Sequence, residues 1–592
     1  MQPAARRLLL LGAAVAFAIP ALAQVQNSVP TAPAPSPAPA PSAPVVTPQP
    51  SPGAQPSTRQ APLESDAVEI DAEELVTQPP PPAIEYPRHA RRNPFLAGAL
   101  DPFQAGLGEA PWGLASGVFL STLMRRMDTP LASRWAHIAL RNALLASARS
   151  PGGVNPVDWA AERAWLLLRL GEADAARMVV SAVDTDRFTP KMTQVAVQSA
   201  LATSDPLGLC GMGDRVRKEE PRVAPLIQAI CSALNGEAES ASAQIDSARR
   251  RGSVGGIDLS LAQKVVGAAS DTGTAATIEW EPVDALTAWR YGLSTATGMS
   301  PPERLIERAS PQLRAWYARA PLIPFQDRLQ SARIATGLGV FSSQSLVDFY
   351  AWIYDSTDPN DLSGTDAWQL RLAFAANDQE QRLAAMRRIW GQGDDPLLRE
   401  ASRALLGRAA ARIAPDPDLQ SDAPELIASM LAAGLDRHAL RWANAVRQMD
   451  DGPGDRSWAM LALAAPEGAS VDLSYGRINA FVGRDESEGK RRSAFLVAGL
   501  LALGKLDAGA ASRLNGRHRL GIERGSPLTQ LLDAAARRRQ PGSVLVLAGA
   551  GLQARDWDFV PSSHLFHAVM AMRNTGQDFA ARMIAAEALA RT

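Results

Sequence analysis

One stretch of the chain constrains its fold more than any other. Residues 158–184, DWAAERAWLLLRLGEADAARMVVSAVD, contain two short helical patterns separated by a glycine. Gly171 predicts the end of the first helix, because glycine adopts the left-handed conformation of a helix C-terminus at little cost. Glu172 and Asp174 predict the first turn of a second helix, where acids interact favourably with the helix dipole. The second helix has its apolar residues on one face, so the predicted hairpin needs a neighbour to cover it.

Related segments recur along the chain. GEAESASAQIDSAR from Gly236, GLDRHALRWANAV from Gly434 and TGQDFAARMIAAEALA from Thr575 each place a turn before an alanine-rich amphipathic helix. Between residues 112 and 592, glycine, proline and acidic turns divide the sequence into roughly two dozen predicted helices. No stretch shows the sustained two-residue alternation of a half-buried strand. The predicted fold class is therefore all-α.

Many of the predicted helices are apolar around more than half of their circumference, as in residues 160–170 and 495–503. Such a helix needs neighbours on two sides, which stacked helical hairpins supply. We therefore expect residues 93–592 to form an α-solenoid of stacked hairpins. The last predicted helix, residues 577–591, mixes apolar and charged positions and is interpreted as a cap with an outer polar face, which favours a monomer.

The chain has 13 tryptophans spread along the predicted helices. Large rings at the contacts between hairpins would fill the gaps that so many alanines leave. The alternative is a row of tryptophans on a concave face, where the rings would stack on sugars.

The first 23 residues predict a signal peptide. Arg6 and Arg7 precede an apolar run at residues 8–19 and a cleavage site at Ala21-Leu22-Ala23. The protein is therefore predicted to be periplasmic, with secretion as an alternative, and general secretion is favoured over the twin-arginine export that the Arg pair also permits. No later stretch reaches the roughly 20 apolar residues of a membrane span, so no transmembrane segment is expected.

Residues 24–92 predict a disordered linker rich in proline and alanine. Twelve prolines between residues 29 and 62 favour an extended polyproline II conformation, and few side chains could be buried. The linker contains an acidic patch, ESDAVEIDAEELV at residues 64–76. This patch is either a solvated part of the linker or a docking segment that folds on a partner.

Cys210 and Cys231 are the two cysteines of the chain and lie 21 residues apart. In an exported protein an even number of cysteines favours pairing, and a helical hairpin would bring these two positions together. A disulfide is therefore predicted, with two free buried thiols as the alternative.

The hairpin with a glycine-acid turn and small residues in its second helix resembles tetratricopeptide-like α-helical repeat proteins, over most of residues 112–592. The whole layout also resembles exported proteins of alphaproteobacteria, some of which carry antifreeze-glycopeptide-like labels. This resemblance implies a scaffold or adaptor with no inherited catalytic residues.

No catalytic motif stands out from the sequence. There is no Gly-x-Ser-x-Gly elbow, and the Ser-x-x-Lys match at residues 487–490 lies in a charged turn. Soluble lytic transglycosylases share an exported helical superhelix, but the Glu-Ser pairs at residues 64–65 and 239–240 are not followed by the Gly-Leu-Met-Gln type motif of that class. No catalytic residue and no cofactor are predicted.

Metal binding is also not predicted. His564 and His567 lie one turn apart, and a helical wheel buries Leu565, Phe566, Val569 and Met572 on the other side. Both imidazoles are therefore expected at the surface, with Asp556 or Asp558 as the only candidates for a third ligand.

Charge marks one candidate interaction patch. The formal net charge of the whole chain is −1, so nucleic-acid binding is not expected. Residues 484–539, however, contain twelve basic residues against six acids. Four arginines surround Asn515-Gly516 and could hold an anionic protein or envelope glycan, although a solvated face is the alternative: Arg513, Arg517, Arg519 and Arg524.

These observations predict a non-enzymatic periplasmic scaffold or adaptor that binds a protein or envelope partner through a helical-repeat surface. The alternative is an envelope enzyme that acts on glycans, with a site assembled from distant repeats.

Overall fold

The structure, a computed structural model, describes residues 87–127, 130–252, 254–270, 276–522 and 524–592, without the side chains of Arg88 and Asp214. The predicted signal peptide and nearly all of the predicted linker, including its acidic patch, lie outside these residues. The described residues form 29 α-helices, seven 3-10 helices and three isolated β-bridges, without a strand. The predicted all-α class is confirmed for this part of the chain, and none of its helices is long and apolar enough to span a bilayer.

The α-helices belong to the unit that contains Arg92–Thr592. The first ten are α1 Gly117–Arg125, α2 Arg134–Leu145, α3 Pro156–Leu170, α4 Ala173–Ser181, α5 Pro190–Ala202, α6 Gly213–Glu219, α7 Ala224–Leu234, α8 Ala238–Arg251, α9 Gly256–Ala269 and α10 Ala288–Ala296. The next ten are α11 Glu303–Arg308, α12 Pro311–Tyr317, α13 Phe325–Leu338, α14 Ser343–Ser356, α15 Pro359–Leu362, α16 Asp366–Ala375, α17 Gln379–Trp390, α18 Pro396–Ala410, α19 Ala423–Ala432 and α20 Asp436–Leu440. The last nine are α21 Ala443–Val446, α22 Asp451–Ala464, α23 Tyr475–Arg484, α24 Arg491–Ala502, α25 Ala508–His518, α26 Pro527–Arg537, α27 Pro541–Gly551, α28 Ser562–Asn574 and α29 Asp578–Ala590. The 3-10 helices are Arg88–Ala90, Pro94–Leu96, Thr185–Arg187, Pro206–Leu209, Pro417–Leu419, Glu488–Lys490 and Trp557–Phe559.

The hairpin predicted from residues 158–184 is present as α3 and α4. The backbone N–H of Val157 donates to the Asn155 side chain at 2.8 Å, which caps the start of α3. Gly171 ends α3 with a φ of 100°, in the left-handed region that favours glycine. α4 then packs on α3, so the local helix signals are confirmed.

Glu172 differs from its predicted role. It precedes α4 and its side chain makes no capping hydrogen bond to that helix. The carboxyl is instead buried against His137 of α2, with 2.9 Å between its Oε1 and the imidazole Nε2. Burial raises the pKa of Glu172 to about 8 and lowers the pKa of His137 to about 3. At neutral pH both shifts favour a protonated carboxyl that donates to a neutral imidazole.

The first helices of this unit pack on the last ones. α2 contacts α27 and α29, and α1 contacts α27. Next to α2, the N–H of Ala132 donates to the carbonyl of Leu552 at 2.8 Å. An open array in which each repeat contacts only its neighbours lacks contacts of this kind. The helices therefore do not form an open array, because the first helices contact the last ones. A stack of hairpins whose two ends meet stays a prediction.

The interpretation of the last helix as a cap with an outer polar face is wrong. α29 packs against α2, α19, α22, α24 and α28, and Arg582 and Glu587 are each only 6% exposed. Glu587 accepts hydrogen bonds from the N–H of Arg134 at 2.8 Å and from the hydroxyl of Ser133 at 2.6 Å. This carboxylate therefore lies at the N-terminus of α2, where unpaired N–H groups favour a negative charge.

The tryptophans mostly fill the interior, as predicted. Trp112, Trp159, Trp316, Trp442 and Trp557 are all less than 2% exposed. All 13 tryptophans are described, and only Trp352, at 60% exposed, is largely open to solvent. The alternative of a row of exposed rings therefore has no support in the described chain.

Buried arginines bind the ends of neighbouring helices. Arg134 donates to the carbonyl of Ala432, the last residue of α19, at 2.8 Å and to that of Thr336 in α13 at 2.9 Å. Arg163 donates to the carbonyl of Leu144 near the end of α2 at 3.0 Å. These carbonyls lie in the last turns of their helices, where the regular donor four residues further along is missing. The arginine side chains therefore join helices together.

Cys210 and Cys231 form a disulfide with 5.6 Å between their Cα atoms. The bridge ties the loop after the 3-10 helix Pro206–Leu209 to α7, and the predicted pairing is confirmed.

Candidate functional site: an arginine-lined cleft

A cleft lies among α18, α19, α22, α23 and α24 and the end of α29, and it is the strongest candidate for a binding site. Its volume is about 380 Å³, within the range of roughly 300–1,000 Å³ that is typical of small-molecule sites. Five arginines line it: Arg399, Arg403, Arg456, Arg492 and Arg591. Three carboxylates also line it: Glu425, Asp556 and Asp558.

Helical spacing brings the basic side chains to the cleft. Arg399 and Arg403 are four residues apart on α18 and lie on the same face of that helix. On α22, Arg456 and Met460 have the same spacing, so one turn contributes both a cation and an apolar contact. The lining of the cleft therefore combines basic and apolar side chains.

The inner arginines of the cleft already have partners. Arg403 makes a bidentate ion pair with Glu425 at 2.8 and 2.9 Å and donates to the carbonyl of Ala590 at 3.1 Å. Arg591 donates to Glu587 at 2.7 Å, and Arg492 donates to the backbone oxygen of Thr592 at 3.0 Å. These contacts hold the inner wall of the cleft in place.

The outer arginines differ. Arg399 and Arg456 are exposed, and in the described part of the chain neither side chain makes a hydrogen bond or ion pair. Burial alone would raise the pKa of Glu425, but the hydrogen bonds from Arg403 and the positive charges of Arg403, Arg456 and Arg399 outweigh it and lower that pKa. Glu425 is therefore ionised and paired with Arg403, which leaves the outer guanidinium groups available to a ligand.

The floor of the cleft is apolar. Met460, Phe481, Trp557 and Leu589 line it and are between 1% and 7% exposed. They belong to α22, α23, the 3-10 helix Trp557–Phe559 and α29. A ligand in the cleft would therefore meet buried apolar side chains beneath the charged groups.

Behind the inner wall lies a buried group of charges that we call the junction cluster: Arg134, Glu400, Glu587 and Arg591. Glu400 is 2% exposed, and burial together with the charge of Glu587 raises its pKa. In the same cluster Glu587 binds the N-terminus of α2 and the side chain of Arg591. The junction cluster thus joins the start of the helical unit to its end, next to the cleft.

The sequence-predicted patch lies at and beyond α25. Arg513, Arg517, Arg519 and Arg524 are all exposed. The guanidinium of Arg513 lies 5.3 Å from the centre of the Tyr475 ring, and Arg517 lies in the last turn of α25, where the helix dipole favours a cation. Arg513 lies in the middle of α25, and Arg519 and Arg524 follow the helix. Binding of an anionic partner there stays a prediction.

The histidines of α28 are not where the helical wheel placed them. His564 is 5% exposed, and its Nε2 lies 3.1 Å from the carbonyl of Ala548 in α27. His567 is half-buried, and its Nδ1 lies 2.9 Å from the carboxylate of Asp533 in α26. The expectation of two surface imidazoles is therefore wrong, because α26 and α27 cover that face. The described residues contain no group of three or more potential metal ligands.

Sequence reasoning missed most of the cleft. Only Arg492 lies in the basic stretch 484–539 that the charge pattern indicated. Arg399 and Arg591 are almost two hundred residues apart, and no local pattern connects them. The Arg-x-x-x-Arg spacing of Arg399 and Arg403 on α18 is the one available signal, and solvated helix faces often show the same spacing.

Comparison of the chain with protein-family models, curated proteins and solved structures finds no match. No residue role is therefore carried over from another protein. The roles proposed below rest on the geometry of the cleft.

Proposed function

We propose that this protein is an exported, non-enzymatic scaffold that works in the periplasm and binds an anionic protein or envelope partner in the arginine-lined cleft. One observation carries the proposal: Arg399 and Arg456 are exposed beside an apolar floor and have no hydrogen-bond or ion-pair partner in the described chain. Guanidinium groups in this state bind carboxylate or phosphate groups through paired, charge-assisted hydrogen bonds.

The helical architecture supports a scaffold. Pairs of consecutive helices, among them α3 with α4, α7 with α8 and α18 with α19, pack on each other as hairpins do. Stacks of such hairpins, as in tetratricopeptide-like proteins, serve as binding platforms, and we extend that solenoid arrangement to this chain as part of the proposal.

Two features support an exported protein. The predicted signal peptide at residues 1–23 directs the chain out of the cytoplasm. The Cys210–Cys231 disulfide suits an oxidising compartment such as the periplasm.

The alternative, an enzyme that acts on envelope glycans, has less support. Such enzymes need a carboxyl group with a raised pKa beside a second carboxylate. In the cleft, Glu425 has a lowered pKa instead. Two glutamates with raised pKa values, Glu172 and Glu400, are 0% and 2% exposed and cannot reach a substrate without local opening.

The test is affinity capture from envelope extracts. The full chain should retain a stoichiometric partner, and the double variant Arg399→Glu/Arg456→Glu should lose it, because the cleft would then repel an anion. Arg388→Glu/Arg408→Glu is the matched control, since it reverses the same charges at exposed positions outside the cleft. Capture that survives the cleft variant and disappears with Arg517→Glu/Arg519→Glu would move the binding site to the patch.

The enzyme alternative has its own test. Purified peptidoglycan incubated with the full chain should remain intact under the proposed function. Turnover that disappears when Glu425 is replaced by Gln would contradict a non-enzymatic scaffold.

A further inference from the structure

Within the proposed function, on which this inference rests, we infer that the cleft recognises a compact organic anion: a phosphate- or carboxylate-type head group on a short apolar or aromatic stem. The head group would bind Arg399 and Arg456, and the stem would lie on the apolar floor.

Charge defines the head group. The five arginines and three carboxylates that line the cleft give it a formal charge of +2. Arg403 is used by Glu425 and Arg591 by Glu587. When the ion-pair partners Glu587 and Arg491 are included, the charge stays at +2, because the three ion pairs cancel and leave Arg399, Arg456 and Arg492 against Asp556. Of these three arginines, only Arg399 and Arg456 have side chains that make no hydrogen bond in the described chain. A dianion such as a phosphate monoester balances this charge, and a single carboxylate balances half of it.

The floor defines the stem. A volume of about 380 Å³ is more than a bare phosphate fills, and the lining includes the apolar side chains of Met460, Phe481 and Leu589. Removing apolar surface from water stabilises a complex in proportion to the area covered. A ligand with an apolar stem should therefore bind more tightly than the same head group alone.

Acidic side chains limit the size of the ligand. Asp556 and Asp558 also line the cleft, and the Asp558 carboxylate lies 3.7 Å from the guanidinium of Arg491. A long polyanion that extended past the arginines would bring its charges close to these carboxylates. The cleft therefore suits a single compact anionic group and disfavours an extended acidic polymer.

The anion could come from two sources with the same chemistry. It could be a free small molecule, or it could be a group presented by the partner of the scaffold. Competition between a small probe and the captured partner distinguishes the two.

The experiment is isothermal titration calorimetry of the full chain with four probes: phenyl phosphate, inorganic phosphate, benzoate and benzyl alcohol. Phenyl phosphate should bind most tightly, at least about tenfold more tightly than inorganic phosphate, because only it combines the dianion with a ring. Benzoate should bind more weakly than phenyl phosphate, and benzyl alcohol should give no binding heat. This series tests the floor without mutating buried residues that the fold needs.

Variants test the head group. Arg399→Gln/Arg456→Gln should weaken phenyl phosphate binding by about a hundredfold, since each charged hydrogen-bonding group contributes about tenfold or more. The matched control Arg388→Gln/Arg408→Gln removes the same charge from exposed positions outside the cleft and should leave binding unchanged. Equal affinities for phenyl phosphate and inorganic phosphate would overturn the apolar stem, and equal loss in both double variants would overturn the arginine site.

Failure of this inference is distinguishable from failure of the proposed function. If no probe binds but capture of the partner still depends on Arg399 and Arg456, the ligand class is wrong and the scaffold stands. If phenyl phosphate binds but capture of the partner does not depend on these arginines, the cleft does not bind the partner, and the proposed ligand class is still supported. Displacement of the partner by phenyl phosphate would show that the partner presents the anion, whereas binding without displacement would indicate a free molecule.

Discussion

The junction cluster and the mouth of the cleft lie close together, and both use arginine, but in opposite ways. In the junction cluster, Arg134 is 3% exposed and donates to three backbone carbonyls, and Glu587 accepts from the N-terminus of α2 and from Arg591. At the mouth of the cleft, Arg399 and Arg456 are exposed and make no such bonds in the described chain. An arginine that reaches an unpaired helix end thus becomes part of the fold, and one that does not remains available to a ligand.

The two regions also differ in the free energy that their charges cost the folded state. A buried charge loses its hydration, so it is tolerated only when every donor or acceptor finds a partner, and removing one partner leaves the other uncompensated. An exposed charge keeps its hydration and contributes little to stability. The two regions should therefore separate stability from binding, and four experiments test that separation.

Glu587→Ala should have the largest effect. It removes the acceptor for the N-terminus of α2 and leaves Arg591 without its carboxylate, so the free energy of unfolding should fall by about 3–5 kcal/mol. Urea denaturation followed by circular dichroism measures the change. Asp246→Ala is the control, because the side chains of Asp246 and its partner Arg249 are both 52% exposed and lie 3.0 Å apart, so its loss should cost at most about 1 kcal/mol. Equal losses in the two variants would mean that the junction cluster does not hold the ends of the unit together.

The stability loss caused by removing the disulfide can be compared with the loss in Glu587→Ala. Replacing both cysteines, Cys210→Ala/Cys231→Ala, opens a bridge between positions 21 residues apart, and in the loop-entropy model this should cost about 3 kcal/mol. Because the bridge carries no charge, the loss should be the same at low and high salt. The side chains of Glu587 and Arg591 are also buried, so salt should screen their charges little, and a loss in Glu587→Ala that disappears at high salt would contradict a buried junction cluster.

Glu172 and His137 should give the helical unit a distinctive pH dependence. The unfolded pKa values are 4.5 for Glu172 and 6.5 for His137, and the folded values are about 8 and about 3. Between pH 4.5 and 6.5 the folded and unfolded states bind the same number of protons at this pair, so it contributes no slope. Above pH 6.5 only the folded state keeps the proton on Glu172, so stability should be lost as the pH rises towards 8. Below pH 4.5 the unfolded state binds the additional proton on His137, so stability should be lost as the pH falls towards 3.

Glu172→Gln should remove the alkaline part of this profile. In the wild-type chain this pair should make the free energy of unfolding fall by about 1.4 kcal/mol per pH unit above neutrality. In the variant this fall should be absent. Urea denaturation at several pH values measures it. Glu425→Gln should act in the opposite sense, because Glu425 has a lowered pKa and stabilises the fold above its unfolded pKa, with the effect lost as the pH falls. Parallel profiles for the two variants would contradict the contrast between a buried and a paired carboxyl.

The smallest effect should come from the mouth of the cleft. Arg399→Gln/Arg456→Gln should change the free energy of unfolding by no more than about 0.5 kcal/mol, because both side chains are exposed and unpaired. Thermal and urea unfolding should therefore match the wild-type chain while the binding of phenyl phosphate is lost. A substantial loss of stability would show that Arg399 and Arg456 stabilise the folded state, and the proposed difference between the junction cluster and the mouth of the cleft would be wrong.

The sequence by itself determined the helices and the turns between them. Gly171, the capping residue Asn155 and the apolar spacing of α3 and α4 act over a few residues, so their consequences can be derived from the chain without knowing its neighbours. The pairing of Cys210 with Cys231 could be predicted for a similar reason, because a separation of 21 residues and an even number of cysteines in a chain with a predicted signal peptide favour it.

Only the tertiary structure decided which charged faces are buried. The charges of α29 and the histidine His564 have the sequence pattern of exposed positions, yet both are covered, by α2 and its neighbours in one case and by α27 in the other. The cleft likewise exists only because α18, α22 and the end of α29 meet. A charge is exposed, paired or available to a ligand according to what lies across from it, and those contacts join residues up to about 450 positions apart.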